Sequence, residues 1–194
     1  MKILLILGHP NPESLNHAIA EKSVSVLQKL GHEVFFHDLY QECFDPVLSL
    51  NEENMPEEEL PEFLQHHLRH FKEAEGVVFV HPNWWGGPPA ILRGWVDRVV
   101  RANSCYQFTK DGVVSHVSGK TIQIFSTSNT PRDVEMRVYG DPIEKFWKVI
   151  VFGLLNVRSC ERRNFESVVL STLEERQCWL EEIETILKRQ FRTL

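Results

Sequence analysis

The sequence predicts an α/β fold: a doubly wound, five-stranded parallel sheet in the order 2-1-3-4-5 with helices on both faces. Three observations carry this reading. Short, nearly unbroken apolar runs recur along the chain, as strands covered on both faces require. Segments with helical spacing follow these runs, and that alternation builds parallel sheets. The loops after at least three of the runs are rich in His, Ser, Asn and aromatic residues, which suits ligand binding beyond the carboxyl ends of the strands.

The first strand is Lys2–Leu7, K-I-L-L-I-L, the centre of the sheet. The loop H-P-N-P-E-S-L-N (9–16) then opens a helix with Ser14 as N-cap, Ala18, Ile19, Val26, Leu27 and Leu30 as its apolar stripe, and Gly31 as its stop. Free amides and the helix dipole favour phosphate at such a start, so a nucleotide-like cofactor is expected there. Residues 32–37 form the second strand. Residues 38–60 are polar and acidic, contain Asp45-Pro46 and Met55-Pro56, and read as a long surface excursion whose length suggests a function or an interface. A helix over 61–73 presents Phe63, Leu64, Leu68 and Phe71, and residues 76–80 are the third strand. Pro88-Pro89 starts a helix to Val100 with Ile91, Leu92, Trp95, Val96 and Val99 inward. The fourth strand spans 120–125, and Asp141-Pro142 caps a helix to about Gly153. The fifth strand lies within 156–169, with an unusually polar middle. Thr172 and Glu175 form a capping box that opens the last helix.

A length of 194 residues fits one domain over 1–194, and 42% hydrophobic with 25% charged residues is ordinary for a globular chain. The net charge of -6 argues against nucleic acid as a partner. No basic leader with a cleavage site is visible and no apolar run spans a bilayer, so a cytoplasmic protein is expected. Cys43, Cys105, Cys160 and Cys178 lie far apart without a Cys-x-x-Cys pair, which fits reduced thiols, Cys105 and Cys160 being packing residues. Residues 118–121, S-G-K-T, imitate the end of a nucleotide-binding loop but precede a strand, and the required first glycine is Val114, so an NTPase is rejected. His66 and His70 at i,i+4 suit a metal geometrically, yet Leu68 and Phe71 put the buried face elsewhere; a solvated polar face is expected and no metal ligand is assigned. No G-x-S-x-G elbow appears, which leaves hydrolase chemistry without a nucleophile.

The second ligand loop is H-P-N-W-W-G-G-P-P (81–89). Adjacent tryptophans beside two glycines at a strand end offer a flat wall and a close backbone approach, which suit a planar ring. The third loop, F-S-T-S-N-T-P (125–131), supplies small polar groups able to bond the edge of a heterocycle. Together the three loops resemble the flavodoxin-like NAD(P)H:quinone oxidoreductase family over nearly the whole chain. The most specific piece is P-N-W-W-G-G-P-P-A-I-L-R-G-W (82–95), and G-H-P-N-P-E-S-L-N (8–16) is similar as well.

The resemblance implies a non-covalent flavin, with His9, Ser14, Leu15, Asn16 and Ala18 around its phosphates, Pro82, Asn83, Trp84, Trp85 and Gly86 beside the isoalloxazine, and Ser126, Thr127 and Ser128 at its polar edge. Arg176 stands in a first helical turn without an acidic intrahelical partner and is read as serving an outside anion. With Leu180 it matches the diphosphate and adenosine end of members that bind FAD, so FAD is expected, with FMN as the alternative. Hydride would pass from NAD(P)H as co-substrate, through the flavin, to a quinone or similar electrophile. Two departures bear on the acceptor: Tyr139, not a histidine, precedes Gly140-Asp141, and Asp133 stands where a tyrosine is expected. Tyr139 is the candidate donor to a developing oxyanion. Gly86 replaces a bulky aromatic and widens the pocket. The resemblance also implies a homodimer, with residues 38–60 as a candidate dimer element. A flavin-binding regulatory subunit of a membrane transporter, for which the acidic stretch 52–62 could serve as contact, and a flavodoxin-type electron carrier are the alternatives.

Overall fold

The computed structural model describes residues 1–192; Thr193 and Leu194, which end the expected domain, lie outside the described residues. Strands β1 (Lys2–Leu7), β2 (Glu33–Asp38), β3 (Gly76–Pro82), β6 (Thr121–Thr127) and β7 (Ser159–Phe165) form one parallel sheet in the order β2-β1-β3-β6-β7. This is the expected 2-1-3-4-5 winding once a hairpin is counted. That hairpin, β4 (Tyr106–Thr109) with β5 (Gly112–Ser115), is an unexpected element that stands apart from the sheet.

Successive residues of a strand point to opposite faces, and β1 is apolar at every step because both faces are covered. Ile3, Leu5 and Leu7 pack with Ile19, Leu27, Ile183 and Leu187 beneath α1 (Leu15–Lys29) and α6 (Leu173–Gln190). Leu4 and Ile6 pack on the other side with Leu64, Leu68, Phe71 and Trp95 from α2 (Glu62–Glu73) and α3 (Ala90–Val99), and with Trp147. Each such aliphatic side chain contributes roughly 1.5–3 kcal/mol through burial. The segment around Trp147 begins as expected: Asp141 caps Pro142–Glu144 through its side chain, then the helix widens to a π-turn over Lys145–Val151. A second π-turn, Glu135–Tyr139, follows the single turn α4 (Arg132–Val134) as Lys145–Val151 follows α5 (Pro142–Glu144), and ends at Gly140 with φ of 68°. Such turns interrupt the ordinary ladder and are frequent at functional sites.

The polar middle of the fifth strand follows from its place at the sheet edge, where one side has no neighbouring strand. Arg162 pairs with Asp141 and with Glu144 (3.0 Å) on one face, and Arg163 with Glu182 of α6 (2.8 Å) on the other. Charges on both faces therefore tie the edge to its covering helices.

The excursion over residues 38–60 is strapped to α3 of its own chain. Pro46 lies so close to Gly94 that a Cβ there would stand 2.2 Å from the Pro46 carbonyl oxygen. Arg98 forms a buried two-bond pair with Glu52 (2.7 and 2.6 Å) and donates to the Asp45 carbonyl; Arg101 donates to the carbonyls of Glu52 and Met55. Glu52 is thus not part of a solvated acidic face. Val47, Leu48 and Leu50 remain exposed on the outer side of the strap.

The face bearing His66 and His70 is not simply solvated either. His70 stacks on Phe35 at 4.0 Å and meets His37 of β2 at 2.9 Å. Lys120, from the rejected nucleotide loop, is buried and donates to the carbonyls of Lys72 (3.0 Å) and Ala74. Burial pushes the Cys105 and Cys160 thiols up to about 12, which agrees with their packing role. Among the described residues no helix is long and apolar enough to cross a membrane.

Candidate active site at the carboxyl edge of the sheet

The first loop leaves β1 and turns into α1 at Ser14, whose hydroxyl accepts the His17 amide (3.3 Å) as the N-cap. The amides of Leu15 and Asn16, in the first turn, have no acceptor within the helix and face outward along its axis. Asn16 is buried and donates from its side chain to Thr127 Oγ1 at 3.0 Å, which locks the helix start to the end of β6. Ala18 continues the turn through its amide to the Ser14 carbonyl, and Leu15 packs on the core beneath. His9 is held by the Asn11 amide at 3.1 Å, and burial lowers its pKa, so its ring is neutral at pH 7. His17 bridges Ser14 Oγ (3.1 Å) and Asp38 (3.0 Å).

The second loop is a tight turn. Trp84 and Gly87 exchange backbone hydrogen bonds (3.0 and 3.1 Å), and the two residues between them, Trp85 and Gly86, both have left-handed backbones, with φ of 56° and 76°. Two-residue turns of this hand want Gly or Asn, and a tryptophan there is strained. Its indole is fully exposed, and Trp84 is 42% exposed with its ring 6.0 Å from that of His9. The Gly86 amide donates a hydrogen bond to Asn83 Oδ1 (3.0 Å), and a Cβ on Gly86 would stand 3.0 Å from Pro142. Pro82 ends β3 buried, and the Asn83 amide donates to the Thr127 carbonyl. Below the loop His81 is buried, its Nδ1 against the Pro82 carbonyl (2.9 Å) and its Nε2 accepting the Trp147 indole N–H (2.9 Å).

In the third loop the hydroxyls turn inward. Ser126 donates to Asn164 Oδ1 (2.8 Å), Asn164 donates to Ser128 Oγ (3.1 Å), and Thr127 faces Asn16. All three are buried. These groups fix the wall between the first two loops, each hydroxyl having a partner within the chain.

Tyr139, exposed on the π-turn, lines a cavity of about 550 Å³ together with Asn83, Trp85, Gly86, Thr130, Glu135 and Pro142. The fold therefore brings the candidate tyrosine to the second loop. Glu135 and Pro142 are additions that no motif announced. Glu135 is buried, and burial together with the Asp141 carboxylate raises its pKa, against a hydrogen bond from Asn83 Nδ2 (3.2 Å) that lowers it. Arg176 and Leu180 belong to the helix that follows the turn at Val168, whose amide donates to the Ser128 carbonyl of the third loop (3.1 Å). The Arg176 guanidinium donates from Nε to Ser171 Oγ (2.8 Å) and from Nη2 to the Val168 carbonyl (3.0 Å), so it braces the turn before α6. Leu180 packs on the core face of α6.

The model of the flavodoxin-like fold family matches residues 1–179. An uncharacterized NAD(P)H oxidoreductase of Haemophilus influenzae is 33% identical over 86% of this chain and 82% of that protein. The chain belongs to the flavodoxin-like NAD(P)H:quinone oxidoreductase family. Within that family, NAD(P)H dehydrogenase [quinone] 1 of Cavia porcellus is 29% identical over 70% of this chain, and the match spans 59% of that relative's length. The crystal structure of Smu.1420 from Streptococcus mutans UA159 superimposes with a TM-score of 0.86 at 32% identity, over 97% of this chain and all of the other. As an oxidoreductase of this family, the chain has the first two of these loops where the fold has its switch point, at the carboxyl ends of β1 and β3.

Proposed function

We propose that this oxidoreductase holds a flavin at the carboxyl edge of the sheet and uses it to pass hydride from NAD(P)H to a quinone or similar electrophile. The observation that carries this reading is Trp85: a fully exposed indole on a left-handed backbone, at the wall of the cavity shared with Tyr139. Strain of this kind, about 1–3 kcal/mol, persists where the surroundings impose it, and a flat apolar guest supplies the burial that the free indole lacks.

The residues present fit a flavin. First-turn amides of Leu15 and Asn16, with Ser14, Ala18 and His9 around them, suit an anionic phosphate, and the segment 82–86 offers a flat wall with a glycine at its tightest point. When bound, the flavin supplies a two-electron relay between donor and acceptor. Residues 126–128 set the width of the cradle through their bonds to Asn164 and Asn16. The Tyr139 hydroxyl donates to the acceptor oxygen as it gains charge, in the cleft that it lines together with Trp85. Glu135, its pKa raised by burial and the Asp141 carboxylate, lines the same cleft.

The preference for FAD rested on Arg176 and Leu180. With Arg176 engaged inside the chain, FMN is the better reading. The exposed apolar residues Trp85, Met136, Val138 and Tyr139 form a rim that suits the homodimer the family resemblance implies.

The test is to titrate the purified protein with FMN, FAD and riboflavin, then to follow NADH and NADPH oxidation with a soluble quinone. FMN bound most tightly, with quinone-dependent oxidation of a reduced nicotinamide, is the expected result. A protein that binds none of the three flavins overturns the proposal. Flavin binding without nicotinamide oxidation transfers it to a carrier or a transporter subunit.

A further inference from the structure

On the opposite flank of the sheet edge, five side chains that the reaction does not use meet where β2 faces α2. His37, His66 and His70 each offer a ring nitrogen, and these three atoms lie within 4.8 Å of one another; His37 and His67, with a carboxylate oxygen of Glu42, form a second such set. A cavity of about 780 Å³ opens on this cluster from solvent.

The hydrogen bonds assign the protons. Trp95 donates its indole N–H to His67 Nδ1 (3.2 Å), so the neutral His67 carries its proton on Nε2 and gives it to Glu42 Oε2 (3.3 Å). The other Glu42 oxygen receives His37 Nδ1–H at 2.8 Å. His37 is thereby held with its Nε2 lone pair pointing away from the core, 2.9 Å from His70 Nδ1. A histidine whose far nitrogen donates to a carboxylate, itself held by a second histidine, is the arrangement that orients imidazole for a metal. His66 and His70, four residues apart on one face of α2, complete the set from the solvent side, with ring centroids 4.1 Å apart and 5.5 and 5.1 Å from that of His37.

We propose that His37, His66 and His70 bind a divalent cation of the zinc type, with Glu42 and His67 as the supporting chain and a fourth position open to water. Three nitrogens about 2.0–2.1 Å from a tetrahedral zinc stand about 3.4 Å apart, so the rings need only small rotations. Entry of the ion displaces Arg69, an exposed side chain that donates to His66 Nδ1 at 2.7 Å. The second triad is a poorer site, because a cation there breaks both bonds to Glu42. The bound ion would clamp the end of β2 and the turn after it to α2.

The test uses the full chain with any affinity tag removed. Zn²⁺ is titrated against a chromogenic chelator, and Co²⁺ is added to read the visible absorption of a tetrahedral site. One equivalent is expected, with a tetrahedral Co²⁺ spectrum. His66→Gln and His70→Gln, on the partly exposed side and checked for folding by circular dichroism, are each expected to weaken Zn²⁺ by about 100-fold or more, and Glu42→Gln by about 10–100-fold. His67→Gln loses less than Glu42→Gln. Equal Zn²⁺ binding by wild type and the His66→Gln/His70→Gln double variant overturns the site, and so does loss confined to the His67 variant.

Discussion

Replacing Glu52 by Gln removes the charge that the strap over residues 38–60 delivers to α3. Arg98 donates to both Glu52 oxygens at 2.7 and 2.6 Å and to the Asp45 carbonyl at 2.6 Å, and the two side chains of the pair are only 4% and 5% exposed. An exposed pair would contribute about 0–1 kcal/mol. Here the guanidinium is left buried without its counter-charge, and breaking one side of a buried pair costs about 3–5 kcal/mol. Unfolding entropy of roughly 2.1 cal/mol/K per residue, over this chain, converts that loss into a fall in Tm of about 7–12 °C. Removing both partners as Glu52→Met with Arg98→Met leaves no orphan charge, so the double variant should recover much of the loss. Differential scanning calorimetry reads the Tm, and limited proteolysis reports whether cleavage begins within residues 45–55. A Glu52→Gln Tm within about 2 °C of wild type would refute the latch, as would a double variant whose loss equals the sum of the two singles.

Three further outcomes are expected. Ser14→Ala should lose about 1 kcal/mol of stability with the helix cap and weaken FMN while leaving riboflavin affinity unchanged, because the loss falls on the phosphate end; fluorescence titration with both ligands decides it. Tyr139→Phe should lower kcat/KM for the quinone by about tenfold, the equivalent of one hydrogen bond, with no change in flavin affinity; equal rates would remove the tyrosine from the reaction. His81 is driven from 6.5 down to about 4 by burial, opposed by its bond to the Pro82 carbonyl. The unfolded chain therefore takes up this proton first, and the contribution of His81, about 3 kcal/mol at 1.36 kcal/mol per unit, is complete above pH 6.5 and lost as pH falls toward 4. Urea melts of wild type and His81→Gln across that window should show a flatter pH dependence in the variant.

What the sequence reveals are features whose cause lies within one element. The alternation of Ile3, Leu5, Leu7 against Leu4, Ile6 needs only the strand period, and the Ser14 cap, the Asp141-Pro142 start and the Thr172–Glu175 box need only the first helical turn. The β4–β5 hairpin had such a local mark too, Asp111-Gly112 between alternating residues, with Gly112 at φ of 122°, and was legible in principle. What stays hidden are pairings between elements far apart in the chain. In Ser126-Thr127-Ser128 and in Arg176 the sequence displays donors, and a donor with no visible acceptor reads as a group waiting for a ligand. The fold supplies acceptors from elsewhere: Asn164, 36–38 residues away, and the turn at Val168 and Ser171. The converse holds for His66 and His70, which look like a solvated pair until β2 brings His37 against them, 33 residues upstream of His70. Trp85 escapes this ambiguity, because an indole that the fold leaves fully exposed, on a backbone that disfavours it, has found no partner within its own chain. For that reason the functional reading rests on it and not on the polar loop.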